Sequence, residues 1–154
     1  LAGEFGRNRE TAILLEEFVN KYSGPLVITR DAIDYFFAHG TMLLDRGDTC
    51  IVGSTAQLQK LAINTRYTTA ITTSLDLVRL VEVLYDFGAL HKAHLITHHL
   101  GTTVVVSEDK ISTTKIGDSE DIWRVPTATK ASIFWMQNLN KPFEAITTSI
   151  AYLL

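Results

Sequence analysis

Apolar residues along this chain fall into two alternating patterns, helical spacing and short continuous runs. Leu14, Leu15, Phe18, Val19 and Tyr22 recur at three- and four-residue steps, which predicts a helix over residues 8 to 22 ended by Gly24-Pro25. PLVIT then reads as a strand, DAIDYFFAH as a short helix and DTCIV as a second strand. STAQLQKLAI reads as a helix whose Ser54 and Gln57 have the spacing of a reciprocal capping box. Residues 74 to 87 carry Leu77, Leu80, Val81 and Leu84 on one face, with Gly88 placed to close the helix. AHLITH and TTVVVS read as strands and KISTTKI as a third that turns back. From about Ala128 the chain reads as two helical stretches separated by Asn140-Lys141-Pro142, the proline suiting a first helical turn.

Strands alternating with helices of this length predict parallel pairing through crossover helices, hence an α/β fold. The expected architecture is a layered, mostly parallel sheet with helices on both faces. No repeat, low-complexity stretch or linker divides the 154 residues, which predicts a single domain or one portion of a domain.

Composition then removes several classes of function. With 46% hydrophobic residues the chain can bury a substantial core, and its 14 Lys and Arg are scattered at a net charge of −3. Nothing here has the basic footprint of a nucleic-acid binder. Cys50 is the only cysteine and lies in a strand-like run, so a reducing cytoplasm is expected. No apolar run is long enough for a membrane span.

Five segments in succession carry a resemblance: GRNRETA, LVITRDAI, IVGSTAQLQKLA, LITHHLGTTVVV and KPFEAITTSIAYL. In order and spacing they resemble the C-terminal part of the ribokinase-like NAD(P)H-hydrate dehydratases, also called carbohydrate kinases. That family has a G-P-G-L-G-R turn opening a helix, a strand ending in D-A-D-A-L, and a strand leading into T-P-H-P-G-E. A strand ending in K-G-x-G-T, a G-T-G-D helix start and a late P-F-E-A helix follow. The resemblance implies a ribokinase-like fold lacking its N-terminal part: a truncated gene, a processed protein, or a sheet completed by a partner chain. A sheet missing its leading strands exposes an edge, so a homo-oligomer or such a partner is expected.

Residue by residue, the resemblance implies substrate contacts at Gly6, Arg7, Asp31, Ser54 and Gln57. Gly6 and Arg7 end the first turn, where backbone N–H groups and a guanidinium can meet a phosphate. Asp31 follows a strand, where it can face a ligand or cap the next helix. Ser54 and Gln57 stand where the family has a histidine and a glutamate, which leaves hydrogen bonding without proton transfer.

His98, His99, Leu100, Gly101 and Thr102 lie on K-G-x-G-T and imply contacts with ADP or ATP, with Mg²⁺ accompanying the nucleotide. Histidine in place of lysine weakens phosphate attraction. His94 and His98 are also spaced to share one strand face, with His91 or Asp86 near, but no standard metal-ligand spacing accompanies them, so no metal site is assigned.

The family's catalytic aspartate falls on Ala131, or on Val125 when the register is anchored on Gln137. Neither is a carboxylate, and Asp118, Glu120 and Asp121 nearby read as a solvated acidic loop. Two functions are therefore expected. One is an ADP/ATP-dependent NAD(P)H-hydrate dehydratase, a carbon–oxygen lyase or related kinase, with a degenerate site and weak or absent turnover. The alternative is a non-catalytic pseudoenzyme serving nucleotide sensing or oligomeric assembly.

Overall fold

Local signals set most of the helix boundaries. Helix α1 (Arg9–Lys21) begins where the Asn8 side chain accepts from the Thr11 N–H at 2.7 Å. After strand β1 (Leu26–Thr29), the single short helix expected from DAIDYFFAH is split into α2 (Asp31–Asp34) and a 3-10 turn (Phe37–His39), and α3 (Thr41–Leu44) follows Gly40. Strand β2 (Thr49–Val52) leads into α4 (Thr55–Ile63), where both halves of the Ser54–Gln57 capping box are made. Helix α5 (Leu77–Gly88) starts three residues later than its apolar spacing suggests, because the Asp76 side chain caps it through the Arg79 N–H. Strands β3 (His94–His99), β4 (Thr102–Ser107) and β5 (Lys110–Lys115) come next. Helix α6 (Arg124–Gln137) begins four residues before Ala128, Pro126 being tolerated in its first turn, and α7 (Pro142–Ala151) has its proline at the first position. The structure, a computed structural model, describes residues 1–3, 8–65, 67–117 and 123–152.

The five strands form one sheet in chain order, β1-β2-β3-β4-β5. The first three are parallel, with Val27 opposite Cys50 and Ile51 opposite Leu95. Strand β4 runs antiparallel to β3, and β5 turns back antiparallel to β4 as KISTTKI was expected to, so the sheet is mixed where a mostly parallel one was expected. The reason lies in the links: Leu100-Gly101 and Glu108-Asp109 are two residues long, and two residues can only turn a strand back.

Strand alternation divides the core in two. Leu26, Ile28, Ile51, Leu95, Val104 and Val106 face α1 to α5, packing on Leu15, Val19, Ile33, Leu43, Leu58, Leu84 and Phe87. Cys50, Val52, Ile96 and Val105 face α6 and α7, packing on Ala131, Trp135, Ile146 and Ile150. Helices therefore cover both faces, and β1 and β5 are the edges. On the β1 edge Leu1 donates to the Val27 carbonyl at 2.8 Å and accepts from the Thr29 N–H at 2.9 Å. Among the described residues no helix is long and apolar enough to cross a membrane.

Candidate functional site

The parallel register aligns Thr29, Val52 and Ile96, so β1, β2 and β3 all finish at one end of the sheet. In open α/β sheets that end is where ligands bind, and most of the residues singled out from the sequence gather there.

At the end of β1, Arg30 has φ 54°, a left-handed conformation that costs a non-glycine residue on the order of 1–3 kcal/mol. Arg30 thereby takes the cap position of α2 and Asp31 becomes the first helical residue. Asp31 is thus not the cap expected of it; its charge acts on the positive end of the helix dipole instead. Asp31 lines a cleft of about 430 Å³ with Asn8, Arg9, Asp34, Tyr35, Phe37 and Lys60. The cleft carries two carboxylates and two cations, with the Lys60 ammonium 5.0 Å above the Phe37 ring.

Behind this cleft lies Gln57. Its N–H donates to Ser54 Oγ at 3.2 Å and its Oε1 accepts from the Ser54 N–H at 3.2 Å. Its Nε2 donates to the Arg30 carbonyl at 2.9 Å and to Asp34 Oδ1 at 2.8 Å, while Arg124 Nη1 donates to Oε1 at 3.4 Å. One buried amide thus joins the end of β1, α2, α4 and the start of α6. The partners also dictate the side chain: two acceptors face Nε2, so a carboxylate there would meet a carbonyl and a second carboxylate. Ser54 and Gln57 are brought to the predicted place, but their polar atoms serve the scaffold.

The five residues from His98 to Thr102 form the β3–β4 hairpin. Leu100 (φ 47°) and Gly101 (φ 70°) are its two loop residues, both left-handed as in a type I′ turn, and the Gly101 carbonyl accepts from the Ile116 and Gly117 N–H groups. His98 Nδ1 lies 3.1 Å from Thr103 Oγ1, and its ring is 5.7 Å from that of Trp123. His99 Nε2 donates to the Leu75 carbonyl at 2.7 Å, which fixes its tautomer. Leu100 projects into solvent while Thr102 is buried in the ladder.

The start of α6 separates the two registers considered for the catalytic aspartate. Val125 is in the first turn, at the same end of the sheet as Arg124 and Gln57. Ala131 lies two turns inside the helix and is fully buried in the same apolar cluster as Cys50, Val52 and Ile96. As a phosphate cradle this start fits only in part. Pro126 lacks an N–H, among the described residues no side chain caps the helix, and Arg124 is its first residue. Gly6, Arg7, Asp118, Glu120 and Asp121 lie outside the described residues.

The histidines each have partners of their own. His91 Nδ1 is 2.7 Å from Asp45 Oδ1, and His94 Nδ1 is hydrogen-bonded to Ser107 Oγ. His94 and His98 do share the face beneath α6, where they pack on Trp135 and Trp123. Burial pushes the His94 pKa down to about 4, so the ring is neutral at pH 7. Burial likewise pushes the Cys50 thiol up, leaving it un-ionised. Among the described residues no three His, Cys, Asp or Glu side chains are grouped to hold a metal.

Sequence reasoning missed Asp34 and Arg124. Asp34 could have been found from its three-residue step after Asp31, which puts both on one side of a helical turn. For Arg124 the signal was Pro126, whose preference for a first turn places the helix start just before it. No protein-family model matches the chain, and no curated protein is similar to it in sequence.

Proposed function

We propose that this chain is a ribokinase-like protein of the NAD(P)H-hydrate dehydratase kind. In this reading it binds ADP or ATP weakly at the β3–β4 corner and turns over little or no hydrated NAD(P)H. The observation that carries the reading is the fully engaged Gln57 amide, bonded to Arg124 at the start of α6: polar groups converge at this end of the sheet, yet Val125 and Ala131, the two registers of the aspartate, offer no proton-transfer group. Losing a positioned acid or base typically costs about 10²- to 10⁴-fold in rate. What remains is suited to recognition: an exposed Leu100 against which a base can lie, the imidazole of His98, and the Arg124 guanidinium at the start of α6. The mixed-charge cleft beside Asp31 is the place for a second, substrate-like group.

The experiment is isothermal calorimetry with ADP and ATP, each with and without Mg²⁺. Binding in the micromolar to millimolar range, weakened by His98→Ala, is the expected result. No heat up to millimolar nucleotide would overturn the nucleotide reading. ADP- or ATP-dependent dehydration of hydrated NADH at a rate typical of efficient enzymes, about 1–10³ per second, would overturn the degenerate one.

A second reading, assembly with another copy of the chain, is favoured by the apolar row that α1 presents to solvent through Leu14, Phe18 and Tyr22.

A further inference from the structure

A pair of polar side chains stands at the end of the sheet opposite to Gln57, away from the nucleotide corner. His94 opens β3, Ser107 closes β4, and the antiparallel register sets the two directly across from each other. His94 Nδ1 and Ser107 Oγ share a hydrogen bond. Each residue is only 6% exposed, yet both border a cavity of about 340 Å³ between the β4–β5 turn and the α6–α7 turn.

The position of the imidazole proton decides what this pair can do. His94 Nε2 is buried and has no hydrogen-bond partner among the described residues. A lone pair there would lack any donor. An N–H there has the ring of Trp135, packed edge-to-face with centroids 5.2 Å apart and an interplanar angle of 86°. The proton therefore belongs on Nε2, and Nδ1 accepts from the Ser107 hydroxyl. A serine whose O–H is held by an unprotonated imidazole is the nucleophile and base of covalent catalysis. Burial keeps this imidazole neutral at pH 7, as a proton acceptor has to be, while the Asp48 carboxylate favours the imidazolium once it forms.

We infer that Ser107 and His94 form an acyl-transfer site that hydrolyses small uncharged esters. Charge balance selects the substrate: the cavity carries Lys92, Lys110 and Lys141 against Glu108, Asp109 and Glu144, which favours neither an anion nor a cation. Lys110 is engaged by Glu144 at 3.2 Å, so the oxyanion that develops is left to Lys92 and Lys141. Ser107 Oγ bonds to the acyl carbon, and its proton passes to His94 Nδ1 and on to the departing alcohol oxygen as the ester C–O bond breaks. Water then attacks the acyl-serine, gives its proton through the same nitrogen, and releases the carboxylic acid with Ser107 restored. The pair shares no residue with the nucleotide corner, so calorimetry can fail while this activity stands.

The test is p-nitrophenyl acetate with the full chain at pH 7, followed by peptide mass spectrometry; its good leaving group suits a weak base. The expected result is release of nitrophenol through an acetyl group on Ser107, and modification of the same residue by phenylmethanesulfonyl fluoride. Ser107→Ala should abolish both. His94→Gln, which keeps a partner for the hydroxyl, should slow the acetylation about 10²-fold. Circular dichroism verifies that each variant is folded, and the sulfonyl fluoride reaction needs no variant. Acetyl groups on lysines alone, with no adduct on Ser107 from either reagent, would overturn the inference. So would acetylation of Ser107 that His94→Gln leaves at the wild-type rate.

Discussion

Nε2 of Gln57 donates a 2.8 Å hydrogen bond to Oδ1 of Asp34, and this contact ties α4 to α2 across the ends of the first two strands. Replacing the amide by a carboxylate, Gln57→Glu, sets two acceptors against each other in a buried place. The variant should lose about 2–3 kcal/mol at neutral pH and recover part of it as the pH falls through the carboxylate range. Urea unfolding at pH 7 and pH 4 measures both. Equal losses at the two pH values would show that the amide is not constrained by Asp34.

The two registers for the family's aspartate respond differently to a carboxylate. Ala131→Asp places a charge in the apolar cluster that includes Cys50, Val52 and Ile96, and should cost about 3 kcal/mol or more, unfolding much of the protein at 37 °C. Val125→Asp lies in an exposed first turn and should be neutral or slightly stabilising through the helix dipole. Thermal melts of the two variants side by side test the pair.

Gly88 gives a prediction whose sign runs against helix propensity. Glycine to alanine inside a helix ordinarily gains about 1 kcal/mol. A Cβ on Gly88, however, would collide with Cγ1 of Val106 in β4, so Gly88→Ala should instead lose about 1–3 kcal/mol. Gly88→Ala combined with Val106→Ala should recover part of the loss, and a double-mutant cycle by urea denaturation reads the coupling.

Acid should weaken the fold through His94. Burial holds its folded pKa at about 4, against about 6.5 for a free histidine. Between these values the unfolded chain binds a proton that the folded chain refuses. Stability therefore falls as the pH drops from about 6.5 to about 4, by roughly 3 kcal/mol from this group, and the contribution is flat below. His94→Gln keeps a partner for Ser107 and removes the titration. The difference in urea midpoint between wild type and variant should change with pH in that window and nowhere above it.

What the sequence made legible was local. The Ser54–Gln57 box spans three residues, and its spacing alone announces it. The contacts of the same glutamine with Asp34 and Arg124 span 23 and 67 residues, and no periodicity encodes a meeting arranged by the sheet. Gly88 shows the same limit in one residue. As a local signal it reads as a helix stop; in the fold it is the last helical residue, and what it provides is room for Val106. Strand direction was written in link length, since Leu100-Gly101 is too short for a crossover, whereas an alternation of strands and helices suggests mostly parallel pairing. The clamp of Arg46 on Tyr22 and Gly24 could not be anticipated, because it depends on two loops coming side by side.

Strand order carries a consequence for synthesis. Because β1 to β5 lie side by side in the order in which they are translated, each strand can dock on the one already made, and no strand must wait for a distant partner. The cover of the second face comes after the sheet, since α6 and α7 follow β5 in the order of elements. Until they emerge, Cys50, Val52, Ile96 and Val105 form an uncovered apolar surface on the five-stranded sheet. A nascent chain stalled before Arg124 is therefore a ready substrate for holdase chaperones, and α6 and α7 release it from them.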